Sequence, residues 1–499
     1  MEKGLILVHD GDDAAVALAD LKAGEAYTVA GQTVLLRDPI PFGHKVALRE
    51  IRAGENVVKY GNPLGHATQD IHVGQHIHTH NMATNLAGHI EYTYEPNGMS
   101  LSALAGIGGD AAFAGYPRPD GKAGVRNELW IVPTVGCVNR TAERLAEQAK
   151  AAFGTHFDDV RAYTHNMGCS QLGDDQATTM KLLAGLIHNP NAGGVLVLSL
   201  GCENNNLEVF KPYLGEIDHN RVKFLVTQDV EDEYEAGMKL LAELDKAAGN
   251  LQRQTVSASK LVVGFKCGGS DAFSGVTANP LCGRLCDRIV REGGSCVLTE
   301  VPEMFGAEHL LMARAVDRDT FEQTVNLIND YKDYFTRHGQ VIYENPSPGN
   351  KAGGISTLEE KSLGCVQKGG SAPVVGVLGY GDSVEKNGLN LLTGSGNDQV
   401  SCTNLACSGA TLICFTTGRG NPFGAPVPTI KVSSNSALAA RKPHWIDFNA
   451  GQVLDGAAWQ DAEEAFFQYV LDVASGRAKT NNEKNGYKEI SVFRDGVIL

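Results

Sequence analysis

Three histidines alternate in Gln75-His76-Ile77-His78-Thr79-His80-Asn81, and in an extended strand such alternation turns three imidazoles toward one face. Neighbouring same-face positions lie about 6.8 Å apart and the outer pair about twice that. Two of the rings can therefore share a metal ion readily, and all three only where the strand bends. Imidazole suits iron, zinc, copper or nickel. Eight of the chain's 15 histidines fall within the first 89 residues, a concentration that favours metal or substrate binding over a merely solvated histidine face. His76, His78 and His80 are the first candidate metal ligands.

A second pattern recurs four times, as Gly136-Cys137-Val138-Asn139, Gly168-Cys169-Ser170-Gln171, Gly201-Cys202-Glu203-Asn204-Asn205 and Lys266-Cys267-Gly268-Gly269. Each follows an apolar run readable as a strand. Ligands of open α/β sheets bind beyond the carboxyl ends of the strands, so the four turns are expected to converge on one crevice. Cys137, Cys202 and Glu203 form an alternative metal-ligand set, against the plainer reading of cysteine as a small hydrophobe. Iron–sulfur ligation is the weaker alternative, because the tight Cys-x2-Cys-x2-Cys spacings are absent.

Other polar clusters are Tyr163-Thr164-His165-Asn166, Ser270-Asp271 through Gly275, and Thr299-Glu300-Val301-Pro302-Glu303. His165 is a candidate general base and Glu300 a candidate acid. Lys351 and Arg419, in Gly/Pro-rich loops, can clamp a carboxylate. Asn204 and Asn205 can read hydroxyl groups. No phosphate-binding loop, nucleophile elbow or zinc-protease helix motif is present.

These residues need elements to hold them. Residues 1–95 contain short strand-like runs broken by glycine, such as 26–30 and 33–37, which predict a small β-rich domain. A Gly/Ala/Ser-rich stretch over 96–114 reads as a linker. From 115 to 255, apolar strands near 130–135, 160–164, 195–200 and 222–227 alternate with helices near 140–152, 175–188 and 204–212. That alternation predicts an α/β domain with a largely parallel sheet. A polar break near 249–259 precedes a second α/β region, 256–499, with strand candidates at 261–265, 295–299, 374–378 and 411–415.

The net charge of -15 disfavours a nucleic-acid partner. No run approaches the roughly 20 apolar residues of a membrane helix, and no signal peptide is recognisable at the start. The 11 cysteines are expected as thiols in a reducing cytoplasm. A homodimer is the ordinary expectation, because two-fold assemblies are the commonest.

Over essentially its whole length the chain resembles the altronate and galactarate dehydratase family, which also takes in the sulfolactate lyases. The stretches that carry the resemblance are 43–48, 58–61, 76–81, 124–128, 168–172, 201–205, 267–271, 300–306, 345–351 and 444–447. The N-terminal part is similar to a SAF domain, and its fusion to the rest favours the altronate branch over the split lyases. The resemblance implies loss of water from D-altronate to give 2-dehydro-3-deoxy-D-gluconate, in hexuronate catabolism, with Fe(II) or Mn(II) as divalent cofactor. Such an ion would stabilise the ene-diolate formed when the C2 proton leaves. Alternatives are dehydration of another sugar acid such as galactarate, or sugar-acid binding without turnover.

Overall fold

The computed structural model describes residues 4–97 and 109–496. Most of the stretch read as a linker lies outside the described residues, and its last part already belongs to the strand Ala112–Pro117.

The N-terminal domain is built of short antiparallel strands. Leu5–Ile6, Ala14–Ala17, Lys45–Ala47 and His76–Ile77 form one sheet, and Asn56–Lys59, Asn62–Ala67 and Met82–Ala83 another. Ala26–Val29 and Gln32–Leu35 form a hairpin whose two turn residues, Ala30 and Gly31, both have positive φ (49° and 80°). This is the turn whose twist matches that of the paired strands. Tyr60 and Gly61, at 59° and 69°, repeat it between Asn56–Lys59 and Asn62–Ala67. For tyrosine that conformation costs about 1–2 kcal/mol, offset by burial of its ring against the C-terminal domain. A side chain at Gly275 would lie only 2.4 Å from the Tyr60 hydroxyl.

The middle domain holds a parallel sheet in the order Val160–Ala162, Glu128–Pro133, Ala192–Ser199, Val222–Val226. Helices Asn139–Phe153, Gly173–Ile187, Leu207–Leu214 and Glu233–Ala248 follow the strands. Every residue of Glu128–Pro133 and Ala192–Ser199 is buried, as a parallel strand covered on both faces requires. The polar break before the last domain is partly a strand. Gln254–Ser257 pairs antiparallel with Ala112–Pro117, tying the chain's entry into the middle domain to its exit. Buried Arg126 adds a strut, bonding Glu483 at 2.6 Å and the Val473 carbonyl at 2.8 Å.

The C-terminal domain is a seven-stranded, wholly parallel sheet in the order Val374–Leu378, Gly388–Leu392, Ser295–Leu298, Val262–Cys267, Leu412–Thr417, Thr429–Ser433, Phe448–Asn449. Gly388–Leu392 and Thr429–Ser433 are not evident in the sequence. The first is bounded by polar loops, and the second carries Lys431 and Ser433 within a buried strand.

Candidate active site

The histidine run is a strand only over His76–Ile77. From His78 the chain turns, with the Asn81 amide donating to the His78 carbonyl at 3.0 Å and the His78 amide donating to Asn81 Oδ1 at 3.0 Å. This bend draws the rings together where a straight strand would spread them. The His76 ring centroid lies 5.6 Å from that of His78 and 5.3 Å from that of His80. A fourth imidazole joins from the neighbouring strand: His44 is 5.0 Å from His76 and 4.9 Å from His78, and its Nδ1 is 2.9 Å from His76 Nε2. Burial, reinforced by His44 and His78, holds His76 down to about 3, and burial with the nearby Lys45 ammonium holds His78 down to about 4. His44 is lowered for the same reasons, burial first and then Lys45. These rings are neutral at physiological pH, and they are bonded within the protein: His78 Nδ1 accepts from the Thr79 amide at 2.8 Å.

The group sits where the N-terminal domain meets the loop Asn345–Gly354 of the C-terminal domain. His78 Nε2 bonds the Lys351 carbonyl at 2.9 Å. Ser347 caps the short helix Pro348–Ala352 in a reciprocal capping box with Asn350, which fixes that loop. Beside it opens a cleft of about 340 Å³. Phe42 and Gly43 supply its N-terminal-domain wall. Asp271, Ala352, Gly353, Gly418, Arg419, Asn435 and Arg441 are among the residues of the opposite wall. Asp271 follows the central strand Val262–Cys267. Its Oδ1 accepts from the Ser274 amide and hydroxyl (2.9 Å each) and the Ser434 hydroxyl (2.8 Å), whereas Oδ2 accepts only from Asn435 Nδ2 at 3.1 Å. Burial raises its pKa and these hydrogen bonds oppose the rise. Arg419 and Arg441 are exposed and make no ion pair among the described residues, and Lys351 is likewise unpaired. Side chains at position 418 are excluded, since a Cβ there would lie 2.1 Å from the Asp271 carboxyl carbon.

Behind the cleft lies a buried ionic network. Glu360 accepts from Lys45 at 2.8 Å and Lys59 at 2.9 Å, both from the N-terminal domain. Glu300 is paired with Lys266 and, at 3.0 Å, with Lys368, and Glu303 with Lys361 at 2.9 Å. None of these eight side chains is more than 8% exposed. Five ammoniums face three buried carboxylates, with partly exposed Asp398 a fourth at 3.0 Å from Lys266. At least one positive charge is therefore uncompensated, and an unmatched buried charge costs several kcal/mol. The strain is visible in Lys45, which burial pulls down to about 8 although Glu360 opposes the fall, with Lys59 adding to it. Glu360 would be raised by burial, but the two lysines bring it to about 2. The sequence gives one signal of this network, a lysine inside the buried strand Val262–Cys267.

Several expected site residues are placed elsewhere. The four cysteine turns do not share one crevice: Cys137, Cys169 and Cys202 lie at the edge of the middle-domain sheet, while Cys267 ends a strand of the seven-stranded sheet, 3.4 Å from Cys365. His165 is buried in the middle domain, its Nδ1 accepting from the Met167 amide at 3.1 Å and its Nε2 donating to the Pro133 carbonyl at 2.7 Å. Both nitrogens are used, so no lone pair remains to take a substrate proton. Glu203 is likewise consumed, by Thr134 and Ser199 hydroxyls at 2.6 Å and the Leu200 and Gly201 amides. In this arrangement both of its oxygens brace the turn. Asn204 Oδ1 accepts from the Ser170 amide at 2.8 Å and Asn205 Nδ2 donates to the Thr134 carbonyl at 3.0 Å, so both asparagines stitch turns of the middle domain, whereas Arg419 lines the cleft and Lys351 precedes its lining residue Ala352. Glu300, at φ 71°, sits between two ammoniums and also accepts from the Cys267 amide at 3.1 Å. Both of its oxygens are occupied by these donors, Lys266 on Oε1 and Lys368 with the Cys267 amide on Oε2.

Two donor groups are suited to a metal ion. Cys267, Glu303 and Cys365 bring their donor atoms within 4.8 Å of one another, but Glu303 is bonded to Lys361 and the surrounding lysines oppose an entering cation. The imidazoles of His44, His76 and His78 are uncharged, and with His80 they gather ring nitrogens in one place, His44 and His76 being hydrogen-bonded to each other at 2.9 Å. Among the described residues no three of the histidines bring a ring nitrogen each within 4.8 Å of one another.

Family comparisons cover the chain. A model of the altronate/galactarate dehydratase SAF domain matches residues 3–85, one of the D-galactarate dehydratase/altronate hydrolase second domain matches 115–249, and one of the D-galactarate/altronate dehydratase C-terminal domain matches 258–498. The chain is 50% identical over 500 residues to altronate dehydratase of Bacillus subtilis (strain 168), covering 100% of both chains. It is 49% identical to altronate dehydratase of Escherichia coli (strain K12), covering 99% of each, and 34% identical to galactarate dehydratase (L-threo-forming) of the same organism, covering 98% of this chain and 96% of the relative.

Proposed function

Because the chain belongs to the altronate and galactarate dehydratase family and is a hydro-lyase, we propose that it converts D-altronate to 2-dehydro-3-deoxy-D-gluconate and water in the cleft between its N-terminal and C-terminal domains. The observation that carries this siting is a cleft rimmed by unpaired Arg419 and Arg441, set against a buried network with surplus positive charge in a chain of net charge -15. A sugar-acid carboxylate supplies the missing anion.

In this reading Arg419 and Arg441 hold the carboxylate, Lys351 a hydroxyl, and Asp271 Oδ2 takes the C2 proton. The C2 electron pair forms the C2–C3 double bond as the C3–O bond breaks, and the departing hydroxyl leaves as water after receiving a proton. The resulting enol becomes the 2-keto acid, with no net oxidation or reduction. Protonated Asp271 is one source of that proton, because burial favours its neutral form. A divalent ion held by His76, His78 and His80, with His44 beside them, would neutralise charge on the ene-diolate, His78 giving up its bond from the Thr79 amide to ligate. Imidazole donors favour Fe(II) over Mn(II).

The test is to follow 2-keto-3-deoxy acid formation by metal-stripped protein given Fe(II), Mn(II), Mg(II) or nothing, with altronate, galactarate and mannonate in parallel. Iron-restored turnover of altronate is expected. A higher kcat/KM for galactarate would overturn the substrate, and sugar-acid binding without product would overturn the enzyme reading.

A further inference from the structure

We infer that Cys137, Cys169 and Cys202 are the three thiolate ligands of an iron–sulfur cluster seated on the middle domain, away from the proposed catalytic cleft. Eight of the 11 cysteines are buried, as is usual for the residue, and the three that are exposed all belong to this group. They lie at the carboxyl ends of three adjacent parallel strands, Glu128–Pro133, Val160–Ala162 and Ala192–Ser199.

The turns that carry them are bound to one another. The Gly136 amide donates to the Met167 carbonyl at 3.0 Å, and the Asn205 amide to the Gly168 carbonyl at 3.2 Å. Asn205 Nδ2 donates to the Thr134 carbonyl and Asn204 Oδ1 accepts from the Ser170 amide. A glycine precedes each cysteine, and two of them permit close backbone approach: a Cβ at Gly168 would lie 2.8 Å from Val135 Cα, and one at Gly136 would lie 2.8 Å from the His165 carbonyl oxygen. Polar groups that could compete for a ligand, notably Glu203, are spent on bracing these turns.

Three features select a cluster over a single ion. First, the three sulfurs are not within 4.8 Å of one another, since the only such donor group among the described residues is Cys267, Glu303 and Cys365. A tetrahedral zinc ion draws its thiolates to about 3.8 Å apart, whereas a four-iron cluster holds them at roughly 6 Å. Second, each turn leads into a helix, Asn139–Phe153, Gly173–Ile187 or Leu207–Leu214, whose amino end carries partial positive charge suited to an anionic cluster. Third, Gln228 Nε2 donates to Cys202 Sγ at 3.4 Å, the kind of hydrogen bond to sulfur that tunes such a centre. Three thiolates leave one iron of a four-iron cluster without a protein sulfur ligand.

The experiment is anaerobic reconstitution of the full chain with Fe(II) and sulfide, followed by absorbance, iron and acid-labile sulfide analysis and low-temperature paramagnetic resonance. Broad absorbance near roughly 400 nm and equal iron and sulfide, near four of each per chain, are expected. Each of Cys137→Ser, Cys169→Ser and Cys202→Ser should lose more than half of the iron while leaving the circular dichroism and thermal midpoint of the metal-free chain unchanged, because the side chains are exposed. Absence of labile sulfide, retention of full iron and sulfide in the triple variant, or uptake of one Zn(II) by the three thiols without sulfide would each overturn the assignment.

Discussion

The middle and C-terminal domains place cysteine turns at the carboxyl ends of parallel strands, yet the two edges differ. In the middle domain the polar groups of the turns are spent on one another, and the thiols of Cys137, Cys169 and Cys202 are left facing outward. In the C-terminal domain the turn after Val262–Cys267 buries its thiol among lysines and glutamates, and the small N-terminal domain covers the edge. What packs over a sheet edge, more than the sequence of the turn, decides which chemistry the turn can support. A covered edge gains desolvated charge and a cleft. An open edge presents ligands.

The sharpest way to break this contrast is to remove the carboxylate on the covered edge. Asp271→Asn should lower kcat by about 10²- to 10⁴-fold, the range for loss of a general base, with an unchanged fold by circular dichroism. His165→Asn, on the open domain, should retain C2 deuterium exchange and differ from the parent mainly in stability. A near-complete loss of exchange in His165→Asn would reverse the assignment of the two edges.

Next in size is the network itself. Glu360→Gln leaves Lys45 and Lys59 without their shared counterion and should cost about 3–5 kcal/mol in urea unfolding, the scale for breaking a buried pair. A loss under about 1 kcal/mol would mean that the lysines have another anion. Arg419→Ala should raise KM roughly tenfold to a hundredfold, as for a lost charged hydrogen bond of about 1.5–3 kcal/mol, with a smaller effect on kcat.

The last effect concerns pH. His76 has a folded-state pKa of about 3, below its ordinary 6.5, so the unfolded chain binds the proton first. The stability it contributes is complete above pH 6.5 and is lost as pH falls toward 3. Urea midpoints of the metal-free protein should decline across that window, and His76→Asn should flatten the decline.

Much of this was legible before the fold was known, and for physical reasons. Buried parallel strands such as 130–135 and 195–200 announce themselves as apolar runs. The histidine run and each cysteine turn are local patterns and stand out equally well. Which patterns meet is a long-range matter. His44 reaches His76 because Val46 pairs with His76 across two strands 30 residues apart, and Glu360 meets Lys45 and Lys59 across 301 residues or more. Lysines are read from sequence as surface residues, so a network of five buried ones is invisible until their partners are in place. His165 misled because a histidine among polar neighbours looks reactive, whereas its two backbone bonds are made by a loop closure no local pattern reveals.

The most direct test of the catalytic siting is a crystal structure of Asp271→Asn with D-altronate bound. The carboxylate is expected between Arg419 and Arg441, with C2 beside residue 271 and the N-terminal domain closing the cleft. Altronate bound instead at the edge bearing Cys137, Cys169 and Cys202, with the cleft empty, would contradict it.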